Sequence, residues 1–171
     1  CFLLRVCLVS MLWGMAQFQI TEKPANNKET SIYNYGNLLE RSQTDALEQK
    51  LIRYSDSTST QIVIAIIATT EGEDIQYLGA QWGQKWGIGQ EQEDNGILIL
   101  LARDDRRIGI NTGYGVEEFL TDALSKRIIE QIILPEFRNG DYYGGLDRGA
   151  DAIFQVLTGQ FKSSGSTPSD E

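Results

Sequence analysis

The chain of 171 residues contains no histidine and only two cysteines, Cys1 and Cys7. Without histidine it cannot form a Ser-His-Asp triad, a Cys-His dyad or a His-ligated zinc site. Any chemistry therefore falls to carboxylates, hydroxyls, lysine, arginine, backbone amides or a bound ion. Because nitrogen and sulfur ligands are so scarce, the expected ion is a hard one bound by oxygen, calcium or magnesium.

Positive charge is also in short supply. The 15 lysines and arginines face 24 aspartates and glutamates, which leaves a formal net charge of -9. Such a balance argues against a nucleic acid or an anionic membrane as partner. It is compatible with cation binding, although acidic surfaces also serve solubility. The length suits one domain with its own core.

The first sixteen residues, CFLLRVCLVSMLWGMA, are apolar, with Arg5 as their only charge, and they close on a small-x-small pattern. This pattern is typical of the hydrophobic region and cleavage site of a secretory signal peptide; the alternative is a buried N-terminal helix or strand. The run is shorter than the roughly 20 residues that span a bilayer. Both cysteines fall inside it. We therefore expect an exported, periplasmic or extracellular protein whose mature chain has no cysteine.

The remaining chain divides by composition. We predict a flexible lead-in at 17–30, one domain at 31–161 and a disordered tail of serine, glycine and acid at 162–171. We expect no second hydrophobic segment after this tail. The expected mature protein is a soluble monomer without a membrane segment, and its partner is unknown.

Hydrophobic periodicity predicts alternating helices and strands. Helices are expected at 42–56, at Asp74–Trp86 and from about Asp141 to Phe161. Another apolar stripe follows Gly115, and Pro135 should end or kink it. Continuous or alternating apolar runs predict strands at Gln61–Thr69, Ile97–Ala102 and Arg107–Thr112. The first two should pair in parallel across a right-handed crossover, which gives an α/β fold with helices on both faces of a small mixed sheet.

Some polar and aromatic residues have simple structural interpretations. Ser42 and Asp45 resemble a capping box, and Asp141 resembles a helix N-cap. Trp82 and Trp86 are better explained as core residues at helical spacing than as a ligand platform. The charged run 103–107 is most simply a solvated turn with local ion pairs.

The predicted hairpin brings two glycine-rich loops together. If residues 103–106 form its turn, Ile97 pairs near Thr112, so Asp94-Asn95-Gly96 lies beside Gly113-Tyr114-Gly115. Glycines let backbone carbonyls approach an ion closely, and acidic residues follow directly after the second loop. The sequence thus predicts a divalent-cation site with ligands Asp94, Asn95, Glu117 and Asp122, supported by Glu118, Gly113 and Gly115. Arg107, at a strand start, could hold an acidic group in place.

Alternative explanations of the same residues remain open. Asp94 and Asn95 also stabilise ordinary turns, and Glu117, Glu118 and Asp122 also favour a helix dipole. The loop is not an EF-hand, because Ala102 stands where the bidentate glutamate would be.

In order, the strings KWGIG, DNGILILLARDDRR, INTGYGVEEFLTD and ILPEFRNGDYYGGL resemble the TPM domain family over about residues 31–161. The resemblance implies a three-layer α/β/α fold, usually exported or membrane-tethered. For plant members it implies an association with acid phosphatase activity and photosystem II repair. For several members it implies a divalent ion, chiefly calcium, beside the sheet.

The resemblance also assigns residues. Asp94, Glu117 and Asp122 match the family's acidic cluster, Arg107 matches the arginine of its third strand, and Asp141 matches the aspartate before its last helix. Tyr35 stands where the family often has aspartate. Asn34 beside it could offer an oxygen to the ion instead.

Two functions follow as expectations. The first is an exported module that binds calcium, or alternatively magnesium, and serves a cell-envelope partner as accessory or scaffold. The second is a metal-assisted acid phosphatase acting on phosphate monoesters. The second lacks an obvious nucleophile in the sequence, and the acidic chain would repel an anionic substrate.

Overall fold

The computed structural model of the chain describes residues 17–25, 30–89 and 92–159. The predicted signal peptide at 1–16, the tail at 162–171 and the predicted helix end at Phe161 lie outside the described residues.

One mixed sheet of four strands forms the centre of the molecule, in the order β1-β2-β3-β4. β1, β2 and β3 run parallel, and β4 is antiparallel to β3. The parallel pairing and the hairpin are as predicted. The first strand has only three residues, too few to show a pattern, and it is missing from the prediction. The strands are β1 Ile32–Asn34, β2 Gln61–Ile67, β3 Gly96–Ala102 and β4 Arg107–Thr112.

The described residues form six α-helices around the sheet, and side chains at their first turns explain where several begin. Asp74 accepts a hydrogen bond from the Tyr77 amide at 2.9 Å, and Asp141 accepts one from the Gly144 amide at 2.8 Å. The predicted box at Ser42 is wrong, because Glu40 is the N-cap and forms the box with Gln43, two residues earlier. The helices are α1 Arg41–Thr58, α2 Ile75–Trp86, α3 Tyr114–Glu117, α4 Asp122–Ile128, α5 Leu134–Arg138 and α6 Tyr142–Leu157.

The apolar stripe after Gly115 does not form one continuous helix. A break separates α3 from α4, and the π-helical segment Ile129–Ile133 joins α4 to α5. Pro135 does not end the helix, which continues to Arg138. Pro135 lies in the first turn of α5, directly after the π-helical segment, and proline is tolerated in the first turn of a helix.

Two hydrophobic clusters cover the two faces of the sheet. Alternate residues of β2 and β3, such as Val63 and Leu98, pack under α2, while their neighbours Ile64 and Ile99 face α1 and α6. The fold is therefore the three-layer α/β/α arrangement that was predicted. Trp82 lies in the first of these clusters, 0% exposed, which confirms that it is a core residue.

The lead-in differs from the flexible segment predicted at 17–30. Residues 17–23 lie along α2, with the Phe18 ring centroid 6.0 Å from that of Trp82. The Trp86 indole nitrogen donates to the Thr21 carbonyl at 2.8 Å. Apolar burial and side-chain donors therefore hold this segment against the domain.

Candidate functional site

The hairpin register places the two glycine-rich loops side by side. Ile97 pairs with Thr112 at one end, as predicted. Just beyond that pair, the Gly113 amide donates to the Gly96 carbonyl at 2.8 Å. Loop 92–95 and turn 113–115 consequently meet at the start of β3.

Asp94 ties the loop to the turn through both its main chain and its side chain. Its carbonyl accepts a hydrogen bond from the Gly115 amide at 3.0 Å, and its carboxylate oxygen Oδ2 accepts one from the Tyr114 amide at 3.1 Å. The backbone of Asp94 adopts φ 46°, a left-handed conformation that aspartate tolerates better than most residues. The Asp94 carboxylate is thus held at the first turn of α3.

This approach is close enough to require glycine on the other side. A Cβ atom at Gly113 would lie 2.2 Å from the Asp94 carbonyl oxygen, and one at Gly115 would lie 1.9 Å from the Glu93 carbonyl oxygen. The glycines therefore admit main-chain oxygens into the junction, as the sequence predicts.

Asn95 has a structural role in the loop. It is only 7% exposed, and its amide nitrogen donates to the Ser59 carbonyl at 2.8 Å and to the Glu93 carboxylate at 3.0 Å. Glu93, which was not among the predicted site residues, therefore accepts a hydrogen bond within the loop. Its position one residue before the Asp-Asn-Gly turn is the only local indication of this role.

An open depression of about 540 Å³ lies directly after the turn. Three exposed acids, Glu117, Glu118 and Asp122, line it together with Tyr114, Thr121 and Ala123. Thr121 caps α4 by accepting the Leu124 amide at 3.3 Å, a Ser/Thr cap that could have been read from the sequence. Carboxylates at such a surface attract cations and repel phosphate esters.

The predicted four-ligand cluster is not assembled as a compact group. Among residues 17–25, 30–89 and 92–159, no three acidic side chains lie close enough together to form a metal-binding group. Asp94 and the three acids of the depression are neighbours along the fold, but they do not converge on one point. The oxygen-only donor set suits a hard cation chemically.

Two predicted supporting residues lie at the opposite end of the sheet. Arg107 pairs with Ala102, so it is separated from Gly113 by the whole of β4, roughly 20 Å at the usual rise per residue. Asn34 ends β1 at that same far end, where its side chain donates to the Leu39 carbonyl and accepts from the Leu38 amide. Both residues therefore lie at the end of the sheet opposite Asp94 and do not reach it.

The same end of the sheet also contains an anchored carboxylate, Asp105, which was predicted to be part of a solvated turn. Asp105 accepts hydrogen bonds from the Thr70 amide at 2.7 Å and from the Thr69 hydroxyl at 2.8 Å. These bonds favour the charged form and hold the pKa of Asp105 below its usual value. Only the neighbouring Arg103 and Asp104 form the local ion pair that was predicted, at 2.8 Å.

The comparison with known families decides what this fold is. The model of the TPM domain matches residues 32–156, which span the sheet, the helices α1 to α5 and all of α6 except its last residue. The chain belongs to the TPM domain family. None of the curated proteins matches it. The family that the sequence motifs resemble is therefore confirmed.

Three solved TPM-like structures are similar to this chain. The N-terminal domain of a protein from P. gingivalis is 32% identical, has a TM-score of 0.68, and the match covers 75% of this chain and 81% of that one. The N-terminal domain of the cg2496 protein of Corynebacterium glutamicum is 18% identical, with a TM-score of 0.60 and coverage of 88% and 92%. The BA42 protein of Bizionia argentinensis is 20% identical, with a TM-score of 0.62 and coverage of 72% and 83%. The last two show the fold alone.

In the part of the TPM chain that the structure describes, no helix is both long and apolar enough to cross a membrane.

Proposed function

We propose that this TPM domain is an exported divalent-cation-binding module that acts as an accessory or scaffold for a partner in the cell envelope. Calcium is the preferred ion and magnesium the alternative. The observation that supports the proposal is the Asp94 junction, which presents a fixed carboxylate next to the acids of the depression. A partner protein and the export itself rest on the sequence alone.

The residues available at the junction set the expected affinity. Asp94, Glu117 and Asp122 would supply carboxylate oxygens, and main-chain carbonyls and water would fill the remaining positions of a six- to eight-coordinate ion. Among the described residues, no three acidic side chains lie close enough together to form a metal-binding group. Binding should therefore be weak, with a Kd of about 0.1–1 mM, as in extracellular calcium modules.

A calcium titration followed by thermal unfolding tests the proposal. With a Kd of about 1 mM, 10 mM calcium should stabilise the fold by about 1.4 kcal/mol, which raises Tm by about 3–6 °C. Asp94→Asn should remove most of this shift while keeping an oxygen that accepts the Tyr114 amide. Asp56→Asn, on the exposed side of α1, is the matched control and should leave the shift unchanged. A Tm indifferent to both calcium and magnesium would refute the proposal.

The phosphatase alternative has less support from the geometry. The depression is lined by three carboxylates, and the nearby Lys126 lies 3.9 Å from the Glu130 carboxylate. A phosphate ester would meet repulsion there, so cation binding is the function that the arrangement favours. Hydrolysis of a generic phosphate ester that disappears in Asp122→Asn would reverse this order.

A further inference from the structure

Residues 17–23 form a strap along the C-terminal half of α2, ahead of the first residue matched by the TPM family. Its side chains alternate, because Phe18 and Ile20 are partly buried while Gln17 and Gln19 are exposed. An alternation with period two is typical of an extended segment with one face covered. Phe18 and Ile20 both pack against the cluster that contains Trp82 and Trp86.

The helix holds the strap through donors directed at its main chain. The Lys85 ammonium donates to the Ile20 carbonyl at 2.9 Å, and the Trp86 indole donates to the Thr21 carbonyl at 2.8 Å. Lys85 also lies 2.8 Å from the Glu22 carboxylate. The contacts with α2 thus involve two apolar side chains two residues apart and an acidic side chain two residues later. Apolar contacts at alternate residues, together with hydrogen bonds to the main chain, are typical of a groove that binds an extended peptide.

The polar side-chain contact of the strap is the weak part of its attachment. The Glu22 side chain is 87% exposed and that of Lys85 is 39% exposed, so their ion pair is well solvated and contributes little. An open space of about 430 Å³ remains between the strap and Gln81, Gln84 and Lys85. The strap is therefore held by its two apolar side chains, by the hydrogen bonds to its main chain and by its covalent link to the domain.

We propose that the surface of α2 around Trp82, Lys85 and Trp86 is a peptide-binding groove and that a second copy of this chain fills it with its own residues 17–23, in a reciprocal exchange of straps. Every contact made within one chain is remade between two chains, so the exchange loses no contacts. Only the tether opposes it, with an effective concentration of about 1 mM for a short linker. The proposal is independent of cation binding, because the strap residues and the Asp94 junction belong to different elements.

The groove is tested with a labelled synthetic peptide of residues 17–23 and the Phe18→Ser/Ile20→Ser chain, whose own strap no longer fits. The peptide should bind this variant at least tenfold more tightly than it binds the wild-type chain, whose groove is filled. The same peptide with both serines should not bind. Replacing Trp86 with phenylalanine, which keeps the ring and removes the donor, should weaken binding in the variant background. Absence of binding to a variant that circular dichroism shows to be folded would overturn the groove.

Should the double variant not fold, Ile20→Ser alone provides a second route, because it removes one of the two apolar contacts of the strap and leaves Phe18 in place. It should raise peptide binding above the wild-type level, and no increase would count against the groove.

The exchange itself is tested by sedimentation velocity of the wild-type chain from about 10 µM to about 1 mM, a range that reaches the tether's effective concentration. A dimer fraction should grow with concentration and disappear in Phe18→Ser/Ile20→Ser. Tyr77→Ser removes another exposed aromatic side chain of α2, 55% exposed, and should leave the dimer unchanged. A monomer at every concentration would overturn exchange with a second copy, and loss of the dimer in Tyr77→Ser would overturn the strap as its cause.

Discussion

Replacing Gly115 with alanine directly tests whether the contact between loop 92–95 and turn 113–115 holds the candidate site together. The added Cβ would lie 1.9 Å from the Glu93 carbonyl oxygen and 3.1 Å from that of Asp94. Main-chain oxygens cannot swing aside as a side chain would. The loop must therefore retreat by more than 1 Å, and the bond from the Gly115 amide to the Asp94 carbonyl must stretch or break.

The magnitudes favour a net loss of stability. Overpacking a tight contact costs about 1–3 kcal/mol, and each hydrogen bond lost costs about 0.5–1.5 kcal/mol. Alanine returns at most about 1 kcal/mol through its better helix propensity, and α3 has only four residues in which to realise it. We expect Gly115→Ala to be destabilised by about 2 kcal/mol and to lose its response to calcium.

The assay is urea unfolding followed by the fluorescence of the buried Trp82 and Trp86. Gly83→Ala is the matched control, because a Cβ there meets nothing within 4 Å and the residue lies inside α2. That variant should be more stable than the wild type, by about 0.5–1 kcal/mol. Gly115→Ala with wild-type stability would refute the argument from close contact, and two equal losses would show that the contact at Gly115 is not the cause.

Two further predictions concern pH. Hydrogen bonds from Thr70 lower the pKa of Asp105 below its ordinary 3.8, so this carboxylate stabilises the fold at neutral pH and that contribution is lost as the pH falls through the lowered value. Urea midpoints at about pH 7 and pH 2.5 should therefore differ less in Asp105→Asn than in the wild type, and equal differences would count against the anchor. Burial alone would lower the pKa of Lys50, but hydrogen bonds to Asp147 and Asp151 outweigh it and raise the pKa above 10.5. Lys50→Met should therefore be less stable than the wild type at pH 8, and the gap should close as the pH rises past the raised value; a gap that persists at high pH would mean that lost packing is responsible.

Much of the fold could be predicted because its elements carry local patterns. The strand cores around Val63 and Leu98 are continuous apolar runs, and the caps at Asp74 and Asp141 are single residues with a known preference. The elements that were missed or misjudged depend on distant contacts. β1 forms because Ile32 can pair with Ile64 of β2. The π-helical segment before Pro135 has no hydrophobic periodicity by which it could be predicted.

The candidate site likewise has one feature that could be predicted from local patterns and one that depends on distant contacts. The approach of Asp94 to Gly113 follows from the hairpin register, which the two strand patterns and the turn between them already define. The hydrogen bonding of Asn95 within the loop does not follow from the pattern, because it depends on the Ser59 carbonyl contributed by the end of α1.

By itself, the sequence excluded histidine chemistry, limited any ion to oxygen ligands, and brought two glycine-rich loops to one end of a predicted sheet. These conclusions depend on composition and on pairing within a short stretch of chain. Only the tertiary structure decided that Arg107 and Asn34 lie at the other end, that the acids do not converge in threes among the described residues, and that residues 17–23 lie on α2. The physical reason is that the direction of a side chain, and the surface that an extended segment covers, are set by contacts between residues far apart in the chain.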